Sequence, residues 1–331
     1  MPATPETIRV RDDVLRALGS VQDPELHRPI TELGMVDGVE VDEAGVVDVR
    51  VLLTIAGCPM RDTLTRDVTA AVNTVEGARG VRVHLDAMSP EQRRALTTSL
   101  RGTTGAAPTI VFNEPGNLTR VYAVASGKGG VGKSSVTVNL AAAMAADGLR
   151  VGVLDADVHG FSVPHLLGVT DRPTRVDEMM LPPSSHGVRV ISIGMFVPGN
   201  EAVAWRGPML HRALQQFASE VFWGDLDVLL LDLPPGTGDI AISVSQLLPR
   251  AEVLLVTTPQ LAAADVAERA GSVAVQTDQR VVGVVENMSW LDLPGGQRLE
   301  LFGSGGGARV AKALSARLGT DVPLLAQVPM D

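Results

Sequence analysis

Eight consecutive residues, Gly127-Lys128-Gly129-Gly130-Val131-Gly132-Lys133-Ser134, carry the spacing G-x-x-x-x-G-K-S. Glycines without a Cβ let successive backbone N–H groups turn inward toward phosphate oxygens. Lys133 brings positive charge to the β- and γ-phosphates of a nucleotide, and the Ser134 hydroxyl is a hard oxygen ligand suited to Mg²⁺. The apolar run Val121–Ala125 precedes this stretch and reads as a strand, while Val136 to Ala146 has helical composition. The helix starting near Gly132 would therefore point its positive dipole end at the same phosphates. The expected nucleotide contacts are Gly127, Lys128, Gly129, Gly130, Val131, Gly132, Lys133, Ser134 and Ser135, with ATP and Mg²⁺ as the ligands.

Hydrolysis also needs carboxylates near the metal and a group that orients the attacking water. Val228-Leu229-Leu230-Leu231-Asp232 is an apolar strand ending in an acid, the position from which a carboxylate meets Mg²⁺. Leu233-Pro234-Pro235-Gly236-Thr237-Gly238-Asp239 follows it, a stiff then flexible loop suited to sensing a γ-phosphate. Val151–Leu154 ends likewise in Asp155-Ala156-Asp157. Taken singly, such acids are most often strand-end caps. Two of these strand ends beside one phosphate loop point to catalysis, because ligands of open α/β sheets bind at the carboxyl ends of the strands.

The elements that position these groups follow from the rest of the chain. With 331 residues and 45% hydrophobic composition, two domains with sizeable cores are expected. Aromatic residues are only 3%, so the cores are built from Val, Leu, Ala and Ile, as in buried parallel strands. From Arg120 onward short apolar runs alternate with helical stretches: 121–125, 151–154, 188–193, 228–231, 253–257, 281–285 and 322–325. That alternation implies βαβ units and a doubly wound, mostly parallel sheet. Residues 1–101 form a smaller α/β domain, with helices expected over 8–21, about 60–76 and 90–100, and strands over 36–41, 46–54 and 80–85. A linker is expected over 102–118 and the nucleotide domain over 119–331.

The formal charge of −10 argues against binding DNA backbone or anionic lipid. No run of 18 apolar residues exists to span a membrane, and Met1 to Glu6 lacks the features of a signal peptide. The lone cysteine, Cys58, excludes an internal disulfide and suits a reducing cytoplasm. Only three of the 28 basic residues are lysine, and two of them, Lys128 and Lys133, lie in the glycine loop. Lysine is kept where a compact point charge has to fit. The final apolar strand is followed by Val328-Pro329-Met330-Asp331, where a covering helix would be expected.

Lys128-Gly129-Gly130-Val131-Gly132-Lys133-Ser134 resembles the deviant phosphate loop of the MinD, ParA and Mrp group. The stretches 155–160, 205–209, 232–239, 258–260, 285–289 and 302–307 resemble the Mrp/ApbC iron–sulfur cluster carrier ATPases more specifically. Residues 8–100, with Asp23-Pro24-Glu25-Leu26 and Gly57-Cys58-Pro59-Met60, are similar to the PaaD/SufT-like domain often fused in front. The resemblance implies a homodimeric P-loop ATPase in which Lys128 reaches the partner subunit's phosphates. It further implies that Lys133 and Ser134 bind phosphate and Mg²⁺, that Asp157 positions the water, that Asp232 holds the metal's hydration shell and that Asn287 contacts adenine. Apo iron–sulfur proteins or assembly factors would be its partners, with neither nucleic acid nor membrane among them.

One segment departs from the family pattern. Many members carry Cys-x-x-Cys between the Asn-Met-Ser and Phe-Gly stretches, whereas residues 290–300 here contain no cysteine. A [4Fe–4S] cluster ordinarily takes four thiolates, and a dimer of this chain owns two. Cys58 is the remaining candidate ligand, preceding Pro59 and a helix N-terminus that would lower its pKa; a small buried residue at a tight turn is the alternative. Two other functions stay open: an ATP-dependent scaffold without a cluster, and a MinD- or ParA-like positioning ATPase.

Overall fold

The computed structural model describes residues 4–55, 60–101, 109–158, 160–197, 207–236 and 239–330. The chain divides into two compact units, one of residues 1–107 with 174–181 and one of residues 108–173 with 182–331.

In the first unit, helix α1 (Pro5–Leu18) starts earlier than expected because Thr4 caps it. The Thr4 Oγ1 accepts the Thr7 N–H at 3.2 Å, and Pro5 fills the first turn, where its missing N–H costs nothing. Val10, Val14 and Leu18, four residues apart, form its buried stripe. Strands β1 (Val36–Val41) and β2 (Val46–Leu53) pair antiparallel across Asp42-Glu43-Ala44-Gly45, as the alternation predicts. The Asp42 carboxylate pins that turn by accepting the Ala44 and Val46 N–H groups at 3.0 and 2.8 Å. Helix α2 (Arg61–Val72) buries Leu64, Val68 and Val72, and returns the chain to β3 (Gly80–Ala87), parallel to β2. Helix α3 (Pro90–Arg101) follows. Asp23-Pro24-Glu25-Leu26 forms a turn, held by Asp23 Oδ1 accepting the Glu25 and Leu26 N–H groups.

The second unit begins ahead of the expected boundary. Residues 109–118, read as linker from their Gly, Pro and Asn content, include a turn of 3₁₀ helix over Val111–Asn113. Phe112 is buried against Trp223, and the Asn113 amide donates to the Leu247 carbonyl at 2.8 Å. Then come β4 (Arg120–Ser126), α4 (Lys133–Ala146), β5 (Val151–Asp155) and the short α5 (Val163–Leu166). The chain next gives β6 (Thr174–Val176) and β7 (Met179–Leu181) to the first unit. It returns as β8 (Ser184–Ser185), β9 (Val188–Ser192), α6 (Gly207–Ser219), β10 (Val228–Asp232), α7 (Asp239–Leu247) and β11 (Glu252–Thr257). Helix α8 (Leu261–Gln276), β12 (Val281–Asp292), β13 (Arg298–Leu299), α9 (Gly306–Leu318) and β14 (Leu324–Met330) complete it.

The sheet runs β8-β9-β5-β10-β4-β11-β12-β13, with β14 also beside β12. All neighbours are parallel except β8 and β13, which pair antiparallel at the two margins. From β4 the chain winds outward through β5 and β9, returns to place β10 between β4 and β5, and then builds the other half from β11. The order thus reverses at β4, which makes its carboxyl end the switch point. The branched residues Val151, Val153, Val188, Val190 and Val228 fill the core under α4, as the shortage of aromatics requires.

The β6–β7 hairpin escaped sequence reading because three-residue strands hold too little periodicity to register. Thr174 donates to Glu25 Oε1 at 2.7 Å, and Arg93 pairs with Asp177 at 3.6 Å. Val176 and Met179 are fully buried and Leu181 and Met180 nearly so. The chain therefore passes between the two units three times. Met179→Ala is expected to cost about 2–5 kcal/mol of stability, measured by urea denaturation; a cost under about 0.5 kcal/mol would mark the hairpin as a surface loop.

Candidate functional site

The glycine loop joins the carboxyl end of β4 to α4, so the first turn of that helix faces the switch point. Among the described residues no side chain caps α4, and no acidic residue occupies its first turn, which leaves its leading N–H groups available to an anion. Gly132 has φ +77°, and a Cβ there would collide with the Asn287 amide. No other residue fits both demands. Asn287, from β12, donates to the Val131 carbonyl at 3.0 Å and braces the loop from behind.

Asp232, at the end of β10, has no solvent exposure. Its Oδ1 accepts from Lys133 Nζ at 2.8 Å and from the Thr137 hydroxyl at 2.8 Å, and its Oδ2 accepts the Ser134 hydroxyl at 2.5 Å. Lys133, 6% exposed, also reaches Asp157 Oδ2 at 4.0 Å and Ser134 Oγ at 3.3 Å. Four of the residues selected from sequence, Lys133, Ser134, Asp157 and Asp232, therefore converge at one point.

Asp155 lies directly beside Asp232 because β5 and β10 run parallel with these two residues in register. Burial, and secondarily the Asp232 charge, push the Asp155 carboxyl up to about 7, against the opposing donors Asp157 N–H, Ser192 hydroxyl and Val163 N–H. Asp155 Oδ1 holds the Asp157 N–H at 3.2 Å, and Asp157 Oδ1 in turn accepts the Gly160 N–H at 3.0 Å. The Asp-Ala-Asp segment thus fixes its own conformation and presents the second acid to Lys133.

Lys128 sits apart from this cluster. Its Nζ donates to Gln260 Oε1 at 3.0 Å, at the head of α8. Ser135 is exposed on the first turn of α4, and its carbonyl accepts the Asn139 amide at 2.9 Å. The loop after Asp232 is tied to the phosphate loop's own strand by the Gly236 N–H on the Ser126 carbonyl at 2.8 Å. Thr237, Gly238, His159 and the candidate ligand Cys58 lie outside the described residues. Among the described residues no group of three or more His, Cys, Asp or Glu side chains could hold a metal ion. One residue of the site was missed in the sequence: Thr137 is marked only by a hydroxyl four residues beyond Lys133, on the same helix face. Gln260 enters only through the 258–260 stretch of the family resemblance, and its link to Lys128 is not legible because 132 residues separate the two.

The raised carboxyl of Asp155 has a consequence for stability. Folding takes up a proton there between the usual value of 3.8 and about 7, so this contribution is fully present below the lower value. It is lost as pH rises through the upper one. Asp155→Asn is expected to remove up to about 1.4 kcal/mol per pH unit of that dependence. Urea denaturation of nucleotide-free protein at two pH values inside the window reads it; parallel wild-type and variant trends would contradict it.

Comparison with known proteins agrees with this arrangement. Residues 117–331 match the family described as NUBPL iron-transfer P-loop NTPase, and residues 11–85 match the family described as iron-sulfur cluster assembly protein. The chain is 65% identical over 315 residues to the iron-sulfur cluster carrier protein of Mycobacterium tuberculosis strain H37Rv, covering 95% of this chain and 82% of the relative. It is 42% identical over 321 residues to the protein of the same name from Bacillus subtilis, covering 96% and 88%. Among solved structures, the nucleotide-binding protein of Archaeoglobus fulgidus in complex with ADP superposes with a TM-score of 0.55 at 38% identity, over 64% of this chain and 82% of that one. With its loop, its carboxylates and its small leading unit all accounted for, the chain belongs to the iron-transfer P-loop NTPase family.

Proposed function

We propose that this protein binds and hydrolyses ATP as a cytoplasmic homodimer and uses that cycle to carry iron–sulfur clusters to apo-proteins or assembly factors. The observation that carries the ATPase half is the Lys133–Asp232–Ser134 cluster at the uncapped head of α4. Two buried carboxylates, Asp157 and Asp232, face a single buried lysine. A triphosphate brings further negative charge to that point, so it requires a divalent cation as companion. Ser134 and Asp232 are the residues that would hold Mg²⁺, which supplies positive charge to the phosphates.

In this reading Lys133 turns from Asp232 to the β- and γ-phosphates, and Thr137 keeps the freed carboxylate oxygen satisfied. Asp157, steadied through its backbone by Asp155, orients the attacking water. Lys128 of the second subunit completes the charge around the transferred phosphoryl group, the role that trans-acting cations play elsewhere. Asn287, which braces the loop through the Val131 carbonyl, is the residue assigned to adenine. The leading unit and the relatives' shared name support the iron–sulfur half.

The cargo's ligands are constrained by composition. Within these 331 residues a dimer offers two Cys58 thiolates, so a four-thiolate cluster takes its remaining ligands from outside them. Among the described residues no helix is long and apolar enough to cross a membrane, in keeping with a carrier that moves between partners.

Lys133→Ala is expected to abolish nucleotide binding in a calorimetric titration. Lys128→Ala should keep ATP affinity while phosphate release slows on the order of 10³-fold. Equal loss of binding in both variants would contradict the trans role. Anaerobic reconstitution with iron and sulfide should give a cluster absorption band in the wild type that Cys58→Ala lacks. A wild type that takes up no cluster would favour an ATP-dependent scaffold instead.

A further inference from the structure

The two lysines of the glycine loop are seated in opposite ways. Lys133 is buried against the carboxylates of Asp232 and, at 4.0 Å, Asp157. Lys128 is half-buried, and among the described residues it forms no ion pair; its ammonium donates to the neutral side-chain oxygen of Gln260 at 3.0 Å. An ammonium on a carboxylate gives up Coulomb energy and strands a charge when it leaves. An ammonium on an amide leaves behind a neutral group that water satisfies at once. The first lysine therefore leaves its carboxylates only for another anion in the same site, whereas the second is free to leave its seat.

The seat itself is fixed. Gln260 stands immediately before α8, and its carbonyl accepts the Ala263 and Ala264 N–H groups at 2.9 and 3.1 Å. Further along α8, Gly127 lies so close to the Val266 and Ala267 backbone that any Cβ would overlap it. Loop and helix thus form one rigid piece, and the spacing between Lys128 and Gln260 is set by backbone contact rather than by flexible side chains. Ser126 reinforces it by donating to the Lys128 carbonyl at 3.1 Å. Beside the seat, Leu261 exposes 61% of its surface, an apolar residue of the kind a second copy covers.

We propose that Gln260 is a positioning residue that parks Lys128 within its own subunit and releases it to the phosphates of a second copy of this chain. This rests on the trans role of Lys128. Gln260 touches no reacting atom; it sets how readily the dimer closes. A carboxylate at 260 would hold the ammonium back, and alanine would leave it free.

The test uses the full-length chain with Gln260→Glu, Gln260→Ala, Lys128→Ala and the double variant Lys128→Ala/Gln260→Ala. ATP affinity by titration should match wild type in all four. Gln260→Glu should lower kcat roughly ten-fold with unchanged KM and move the protein concentration at which specific activity rises upward; Gln260→Ala should move it downward. The double variant should be no slower than Lys128→Ala, since Gln260 acts only through that lysine. Gln260 variants that keep wild-type kcat and concentration dependence, with Lys128→Ala still slow, would overturn the seat alone. A double variant slower than Lys128→Ala would assign Gln260 a purely structural role. Wild-type turnover in Lys128→Ala would overturn the trans role and the seat together.

Discussion

Asp232 is a carboxylate withdrawn entirely from water, and much of the nucleotide unit is arranged around what that requires. An isolated buried anion is too costly to keep, so it has to be paired and hydrogen-bonded. Lys133, Ser134 and Thr137 do this from the first turn of α4 and the residue that follows it, which fixes the helix's rotation and height against β10. Two of the three, Lys133 and Ser134, are also the last residues of the phosphate loop. In effect the resting site is held together by the contacts that a nucleotide and its metal would take over. Binding then exchanges one set of charge partners for another instead of creating a cavity.

A second layer follows from the sheet. Parallel pairing of β5 with β10 sets Asp155 beside Asp232, and that proximity, added to burial, raises the Asp155 carboxyl toward neutrality. Asp155 is thereby better suited to shaping the Asp-Ala-Asp turn than to carrying a second full charge. Asp157, two residues on, is left as the acid that faces Lys133. The division of labour between two acids of one short segment is thus a consequence of strand order, and strand order follows from the winding reversal at β4.

The sheet, the phosphate loop and the acids at the ends of β5 and β10 were legible in the sequence. They are encoded locally, by apolar runs, glycine spacing and strand-end carboxylates. Asn287, selected through family resemblance, lies where it can brace the loop through Val131. Helix and strand ends were less legible: the first helix begins at Pro5 because a threonine cap outweighs the apolar period, and β12 continues past Val285 through the Glu286–Ser289 stretch. Thr137, the pairing of Gln260 with Lys128, and the β6–β7 hairpin were not found. Each depends on a partner far along the chain, Asp232, Lys128 and Glu25 respectively, and pairings of that kind leave no periodic trace. Residues 109–118 look like linker by composition, yet one buried aromatic, Phe112, is enough to attach them.

The account turns on whether a nucleotide site is completed by its own Lys128 or by that of another copy. Mixing Lys128→Ala with Asp157→Asn measures this most directly, since each protein alone is impaired and both retain the loop that binds ATP. In a mixed dimer, the first subunit keeps Asp157 and receives Lys128 from the second. Random pairing at equal amounts should then restore phosphate release to about a quarter of the wild-type rate. A mixture no more active than its separate components would show that Lys128 acts within its own subunit and would contradict the account.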